Sequence, residues 1–107
     1  MVAPSRFDVF LVPLDPGRGA EMQKTRPCVI VSPDESNVLL RTVVVAPLTS
    51  KPKNFPGRLR VMFQGQPGEF ATDQLRAVDK SRLIRKVGTI QAADRARISA
   101  ALVEFFA

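Results

Sequence analysis

The residues of this chain that could move protons or hold negative charge fall in two polar segments. They are carboxylates, guanidinium groups and hydroxyls rather than imidazoles or thiols. The first segment carries Gly19-Ala20-Glu21 and Lys24-Thr25-Arg26-Pro27, and the second carries Pro47-Leu48-Thr49-Ser50-Lys51. Each follows a strongly apolar run, and loops held by a rigid scaffold are where sites usually sit. Histidine is absent and Cys28 is the only cysteine, which excludes an internal disulfide and a cysteine-rich zinc site. A nucleophilic Cys28 would want a histidine base. Beside Val29, Ile30 and Val31, it is expected as a small buried apolar residue. There is no glycine-rich phosphate loop and no dinucleotide fingerprint. Asp15, Glu21, Asp34, Glu35, Glu69, Asp73 and Asp79 lack the spacing of a hard-metal site. What remains is acid–base chemistry by carboxylates and arginines, with no metal and no cofactor.

Residue type alone leaves two roles open for each candidate. Arg26, fixed by Pro27 and an apolar strand, is either a site group or a structural partner of Asp73. Thr49 and Ser50 are either substrate contacts or turn formers through their hydroxyls. Charge is equally two-sided. The net charge is +6, and the excess is uneven. Arg41, Lys51, Lys53, Arg58 and Arg60 lie between Glu35 and Glu69 with no acid among them, and Arg76, Lys80, Arg82, Arg85 and Lys86 face only Asp79. Such clusters suit a polyanion, because each neutralised phosphate releases counterions. They also suit a solvated basic surface.

The elements that must position these groups can be read from periodicity. Phe7 to Leu14 is apolar on both alternating faces and reads as a buried strand, broken by Asp15-Pro16-Gly17. Arg18 to Arg26 is a loop. Pro27 to Ser32 reads as a second strand, Pro33 to Asn37 as a turn, and Val38 to Leu48 as a third strand centred on Val43-Val44-Val45. Thr49 to Gly57 is the second loop. Arg58 to Phe63 alternates charged and apolar residues, the mark of a half-buried strand. Gln64 to Gly68 is a turn, and Glu69 to Asp73 a strand. Arg82 to Ile90 is a further strand, opened by a short helical turn at Asp79 to Arg82. In Gln91 to Phe106, Ile98, Ala101, Leu102 and Phe105 fall at i, i+3, i+4 and i+7, which is an amphipathic helix with Thr89 as its cap and Asp94 in its first turn. The expectation is a single domain over 1–107, mainly β: a small curled barrel of five to seven short strands with a C-terminal helix. No apolar stretch reaches the roughly 20 residues that span a bilayer. Nor does the N-terminus have the form of a signal peptide, and a cytoplasmic location is expected.

The run Phe10-Leu11-Val12-Pro13-Leu14-Asp15-Pro16, with Gly19-Ala20-Glu21 and Lys24-Thr25-Arg26-Pro27, resembles the opening of the MazF/PemK toxins. Further segments match in order: Val29-Ile30-Val31-Ser32-Pro33, Ala46-Pro47-Leu48-Thr49-Ser50, Asp73-Gln74-Leu75-Arg76, Asp79-Lys80-Ser81-Arg82-Leu83 and Val87-Gly88. The resemblance covers the chain from about Arg6 to Phe106. It implies the SH3-like barrel shared with CcdB proteins, and a homodimeric toxin of a toxin–antitoxin system. It also implies sequence-selective cleavage of single-stranded RNA, usually messenger RNA, without metal, leaving a 2′,3′-cyclic phosphate and a 5′-hydroxyl. The implied partner is a cognate antitoxin whose tail fills the RNA groove and with which the toxin binds DNA.

In that chemistry the ribose 2′-hydroxyl attacks its own phosphate. The enzyme then supplies a base, a donor for the leaving oxygen and positive charge for the phosphorane. The resemblance assigns Glu21 as base, Arg26 to the oxyanion and the leaving oxygen, and Thr49 to a phosphate oxygen. It assigns Gln74 to the scissile region or a base, and leaves Asp73 as a second acid–base group or a partner of Arg26. Lys24, Thr25, Ser50 and Lys51 belong to the binding loops. With no Trp or Tyr, base stacking falls to Phe or Arg, and Phe55 in the second loop is the candidate platform. Some relatives have histidine or serine at Ala20 and arginine at Ala71, so mechanisms that pair those groups with Asp73 are closed here. Two alternatives remain: a CcdB-like gyrase poison without catalysis, and an inactive RNA-binding module.

Overall fold

The computed structural model describes residues 3–107. The strands are β1 (Asp8–Pro13), β2 (Thr25–Ile30), β3 (Thr42–Thr49), β4 (Arg58–Phe63), β5 (Gln66–Ala71), β6 (Arg76–Asp79) and β7 (Arg85–Thr89). A short helix α1 (Asp34–Leu39) precedes β3, and the long helix α2 (Ala92–Phe106) ends the chain. All strand pairs are antiparallel, in the order β4-β5-β3-β2-β1-β7, with β6 also on β3. The sheet curls because β3 changes partners along its length: Thr42 to Val45 pair with β6, whereas Leu48 and Thr49 pair with β5. The result is the expected mainly-β half-barrel with a C-terminal helix.

Alternate residues of β2 feed two apolar clusters, which explains the unbroken apolar run read in its sequence. Val29 packs with Val9, Ala46, Phe70, Ile90 and Ile98, while Cys28 and Ile30 pack with Val12, Leu14, Val43 and Val78. Each fully buried Val, Ile, Leu or Phe here contributes about 1.5–3 kcal/mol. Cys28 is buried as expected, and desolvation pushes its thiol up to about 12, against the smaller opposing effects of Arg76 and Arg26. Gln64 and Gly65 both hold positive φ, 52° and 73°, and close the β4–β5 hairpin in two residues, so β5 starts at Gln66 rather than Glu69.

β2 spans Thr25–Ile30 rather than Pro27 to Ser32, so that Arg26 lies in the strand and not in the loop, and four further expectations are corrected. Residues 34–39 are helical, and β3 starts at Thr42 rather than Val38. Asn37 causes this. Its side chain is buried, accepts from Ser32 Oγ at 2.5 Å and donates to Ser32 O at 3.0 Å, folding the chain back on itself. The expected strand to Asp73 stops at Ala71 and gives way to a 3-10 turn, Thr72–Gln74, followed by the unanticipated β6. The last strand starts at Arg85, not Arg82, after a 3-10 turn over Lys80–Arg82. Thr89 remains in β7, and the helix is capped by Gln91 without a side-chain bond. Asp94 is buried and ties α2 to the sheet: it accepts from Met62 N at 3.2 Å and from Arg97 Nη1 at 2.7 Å.

Candidate active site

The β2–β3 register pairs Cys28 with Pro47. Continuing it two residues sets Arg26, just after the first polar loop, opposite Thr49, at the start of the second. The β3–β5 register then pairs Thr49 with Glu69. Three strands thereby bring the two loops to one edge of the sheet. A groove of about 410 Å³ opens there, lined by Met22, Arg26, Thr49, Lys51, Phe55, Arg58, Asp73 and Gln74, with Ala20 and Lys53. A neighbouring hollow of about 470 Å³ shares Ala20, Met22, Asp73 and Gln74 and adds Glu21. A third, of about 240 Å³, shares Arg26 and Thr49 and adds Thr25 and Ser50. Lys24 lines none of the three. With φ at 72°, it donates its amide to Asp15 Oδ1 at 3.0 Å and accepts from Leu14 N at 2.9 Å, closing the base of the first loop.

Arg26 does not pair with Asp73. Its Nε donates to Gln23 O at 3.0 Å, and among the described residues it forms no ion pair, so its terminal nitrogens remain available to the groove. Asp73 is taken by Arg58, through Nε to Oδ1 and through Nη2 to Oδ2 at 3.1 Å, because the 3-10 turn carries Asp73 over the first residue of β4. Thr49 Oγ1 accepts the Lys51 amide at 3.1 Å, which anchors the second loop and leaves the hydroxyl proton free to donate. Glu21 is exposed, its Oε1 accepts from Arg18 N at 2.6 Å, and it does not share the groove of Arg26 and Thr49.

One chain of hydrogen bonds joins the two loops. Met22 N donates to Gln74 Oε1 at 3.0 Å, and Gln74 Nε2 donates to Asp73 Oδ2 at 3.2 Å. Arg58 then joins Asp73 to Glu69 through Nη1, 2.8 Å from Glu69 Oε1. Glu69 accepts the Lys53 and Asn54 amides, both at 3.1 Å. The bond to Asp73, above all, raises Arg58 over its ordinary value. Arg58 in turn holds the Asp73 carboxyl below the usual carboxylate range. Burial pushes Glu69 up, but its two amide donors and Arg58 together outweigh this and lower it. Not all the basic residues face solvent: Arg76 donates to Leu14 O at 3.2 Å, and Arg82 to Pro13 O and Asp15 O, bracing the first loop.

Residues 5–106 match the family described as PemK-like, MazF-like toxins of type II toxin–antitoxin systems. The chain belongs to that family. The protein named endoribonuclease MazF9 of Mycobacterium tuberculosis is 31% identical over 109 residues, covering 91% of each chain. The endoribonuclease toxin MazF of Escherichia coli K12 is 28% identical over 88 residues, 81% of this chain and 79% of that protein. Among solved structures, MazF from Deinococcus radiodurans superposes with a TM-score of 0.84 at 23% identity, over 97% of this chain and 96% of its own. An endoribonuclease from a mycobacterial species, solved with its cognate antitoxin, gives 0.82 at 24% identity over 97% and 95%. At these identities the structural likeness concerns the fold.

In this PemK/MazF member, sequence reasoning did not single out Arg58 and Glu69 as a pair. Their signal was present: Glu69 stands between Gly68 and the apolar Phe70-Ala71. A lone acid in a buried strand requires a cation and further donors.

Proposed function

We propose that this chain is the endoribonuclease toxin of a toxin–antitoxin pair, cutting single-stranded messenger RNA in the cytoplasm at selected sequences by a metal-independent transesterification. The observation that carries this is the meeting of an uncommitted guanidinium, Arg26, with a hydroxyl donor, Thr49, in a groove edged by Lys51 and Lys53. A scissile phosphate seated there accepts from both. The 2′-hydroxyl attacks the adjacent phosphorus and loses its proton to a base, while the bond to the 5′-oxygen breaks and that oxygen takes up a proton. Arg26 holds the charge that develops on the non-bridging oxygens and supports proton delivery to the leaving oxygen. Asp73 is committed to Arg58 and Gln74 and held below the usual carboxylate range, which suits it to positioning rather than proton abstraction. Glu21, in the adjoining hollow, is the remaining carboxylate and takes the base role. Gln74, Thr25, Ser50 and Phe55 contact the flanking nucleotides.

An acidic antitoxin tail suits the same groove on a chain of net charge +6. Homodimer formation is supported by a hollow of about 670 Å³ lined by Phe10, Val38, Leu83 and Ile84, beside the exposed Leu39 and Leu40. The test is incubation of a long single-stranded RNA in excess EDTA with both fragment ends mapped. Cyclic phosphates and 5′-hydroxyls at a recurring sequence are expected. Cleavage that EDTA abolishes, or 5′-phosphate ends, contradicts the mechanism. Intact RNA contradicts the activity.

A further inference from the structure

Glu69 touches no part of the substrate in the mechanism above, yet it is a carboxylate with 1% of its surface exposed, beside the fully buried Phe70 and Ala71. A buried carboxylate is costly unless its oxygens are filled. Two of the three donors that fill them, the Lys53 and Asn54 amides, are backbone of the second loop, whose tip residues are otherwise exposed. Asn54 holds φ at 56°, a left-handed conformation that Asn tolerates, so the loop tip curls around the carboxylate. The third donor, Arg58, lies with its guanidinium carbon 5.2 Å from the centre of the Phe55 ring, and its own amide donates to Phe55 O at 3.0 Å. Phe55 is therefore held through its backbone and backed by a cation, while 53% of its surface stays open at the groove.

We infer that Glu69 is a positioning residue for a nucleobase-stacking platform: through the Lys53 and Asn54 amides and Arg58 it fixes the Phe55 ring so that an unpaired base beside the scissile phosphate stacks on it. The inference rests on the ribonuclease function proposed above. A ring already held in place loses less freedom when a base settles on it, so the fixing acts on binding rather than on the bond-breaking step.

Kinetics on an RNA containing the wild-type cleavage sequence test this with Phe55→Ala, Glu69→Gln and the double variant. Each single variant is expected to raise KM about tenfold, the size of one lost base stack, with a much smaller fall in kcat. The double variant is expected to be no worse than Phe55→Ala. Phe55→Trp should lower KM in the wild-type background and not in the Glu69→Gln background. Multiplying effects in the double variant, or an unchanged KM for Phe55→Ala, would overturn the inference while leaving the ribonuclease intact. A wild type that cleaves no RNA removes the function itself. Should Glu69→Gln not fold, hydrogen exchange on the wild type decides: the Lys53 and Asn54 amides must be protected relative to the neighbouring Phe55 amide, and equal exchange overturns the inference.

Discussion

Arg26 keeps its terminal nitrogens free because a second arginine, Arg58, absorbs the nearby acids Asp73 and Glu69. On the proposed mechanism, that division of labour separates the charge that would stabilise a phosphorane from the charge that holds the loops. It could not be read from spacing, since Arg58 and Asp73 are brought together only by the β4–β5 hairpin and the 3-10 turn after it. Arg26, Thr49 and Gln74 were legible through their match to a family pattern and Lys51 through the polar loop that follows Thr49, and the structure does gather them; Glu21 lies one hollow away. With histidine absent, the pH–rate profile should lack a histidine limb near about pH 6.5. An acidic limb above about pH 5, where the fold keeps its full stability, belongs to the base, and Glu21→Gln should abolish it. A limb that survives in that variant would remove Glu21 from the role.

At the scale of elements, the second loop is pinned at its ends as well as its tip. Gly57 holds φ at 85°, and a Cβ there would meet the Phe105 ring at 2.8 Å, so the last turn of α2 rests on the end of the loop that carries Phe55. Gly57→Ala should cost about 1–3 kcal/mol through the positive φ alone, seen as a lower Tm, and raise KM for RNA. An unchanged Tm would contradict both the left-handed backbone at Gly57 and its close contact with Phe105. The element most plainly misread was α1. Val38-Leu39-Leu40 has strand composition, but these side chains are exposed, at 67%, 82% and 54%. What decides the helix is the fit of one buried polar side chain, Asn37, against Ser32 five residues earlier, which apolar periodicity does not encode. The strands around Val9, Val29 and Val45 were legible because they are buried, and burial is what apolar patterning reports.

For the whole molecule, the exposed apolar face at α1 and Ile84 predicts association. Leu39→Glu should shift the sedimentation equilibrium of the protein toward monomer at micromolar concentration. A wild type that is already monomeric would contradict the dimer. Acid stability follows from Glu69, Asp73 and Asp94. Asp94, like Glu69, is raised by burial but lowered on balance by its donors, Met62 N first among them. All three have folded-state pKa values below their unfolded ones. Their contribution is complete above about pH 4 to 5 and is lost as pH falls through the lower folded-state values. Tm should be level from neutral pH to about pH 5 and drop below about pH 4. A Tm that rises on acidification would contradict the assignment of these carboxylates as structural ties.

On the proposed mechanism, Arg26 stabilises a phosphorane in a cut that needs no metal. The most direct test compares wild type with Arg26→Ala on one long single-stranded RNA in excess EDTA, under single turnover. Discrete fragments from the wild type and a loss of at least about a hundredfold in rate for a correctly folded variant are predicted. Fragments of equal yield from both proteins would contradict the account.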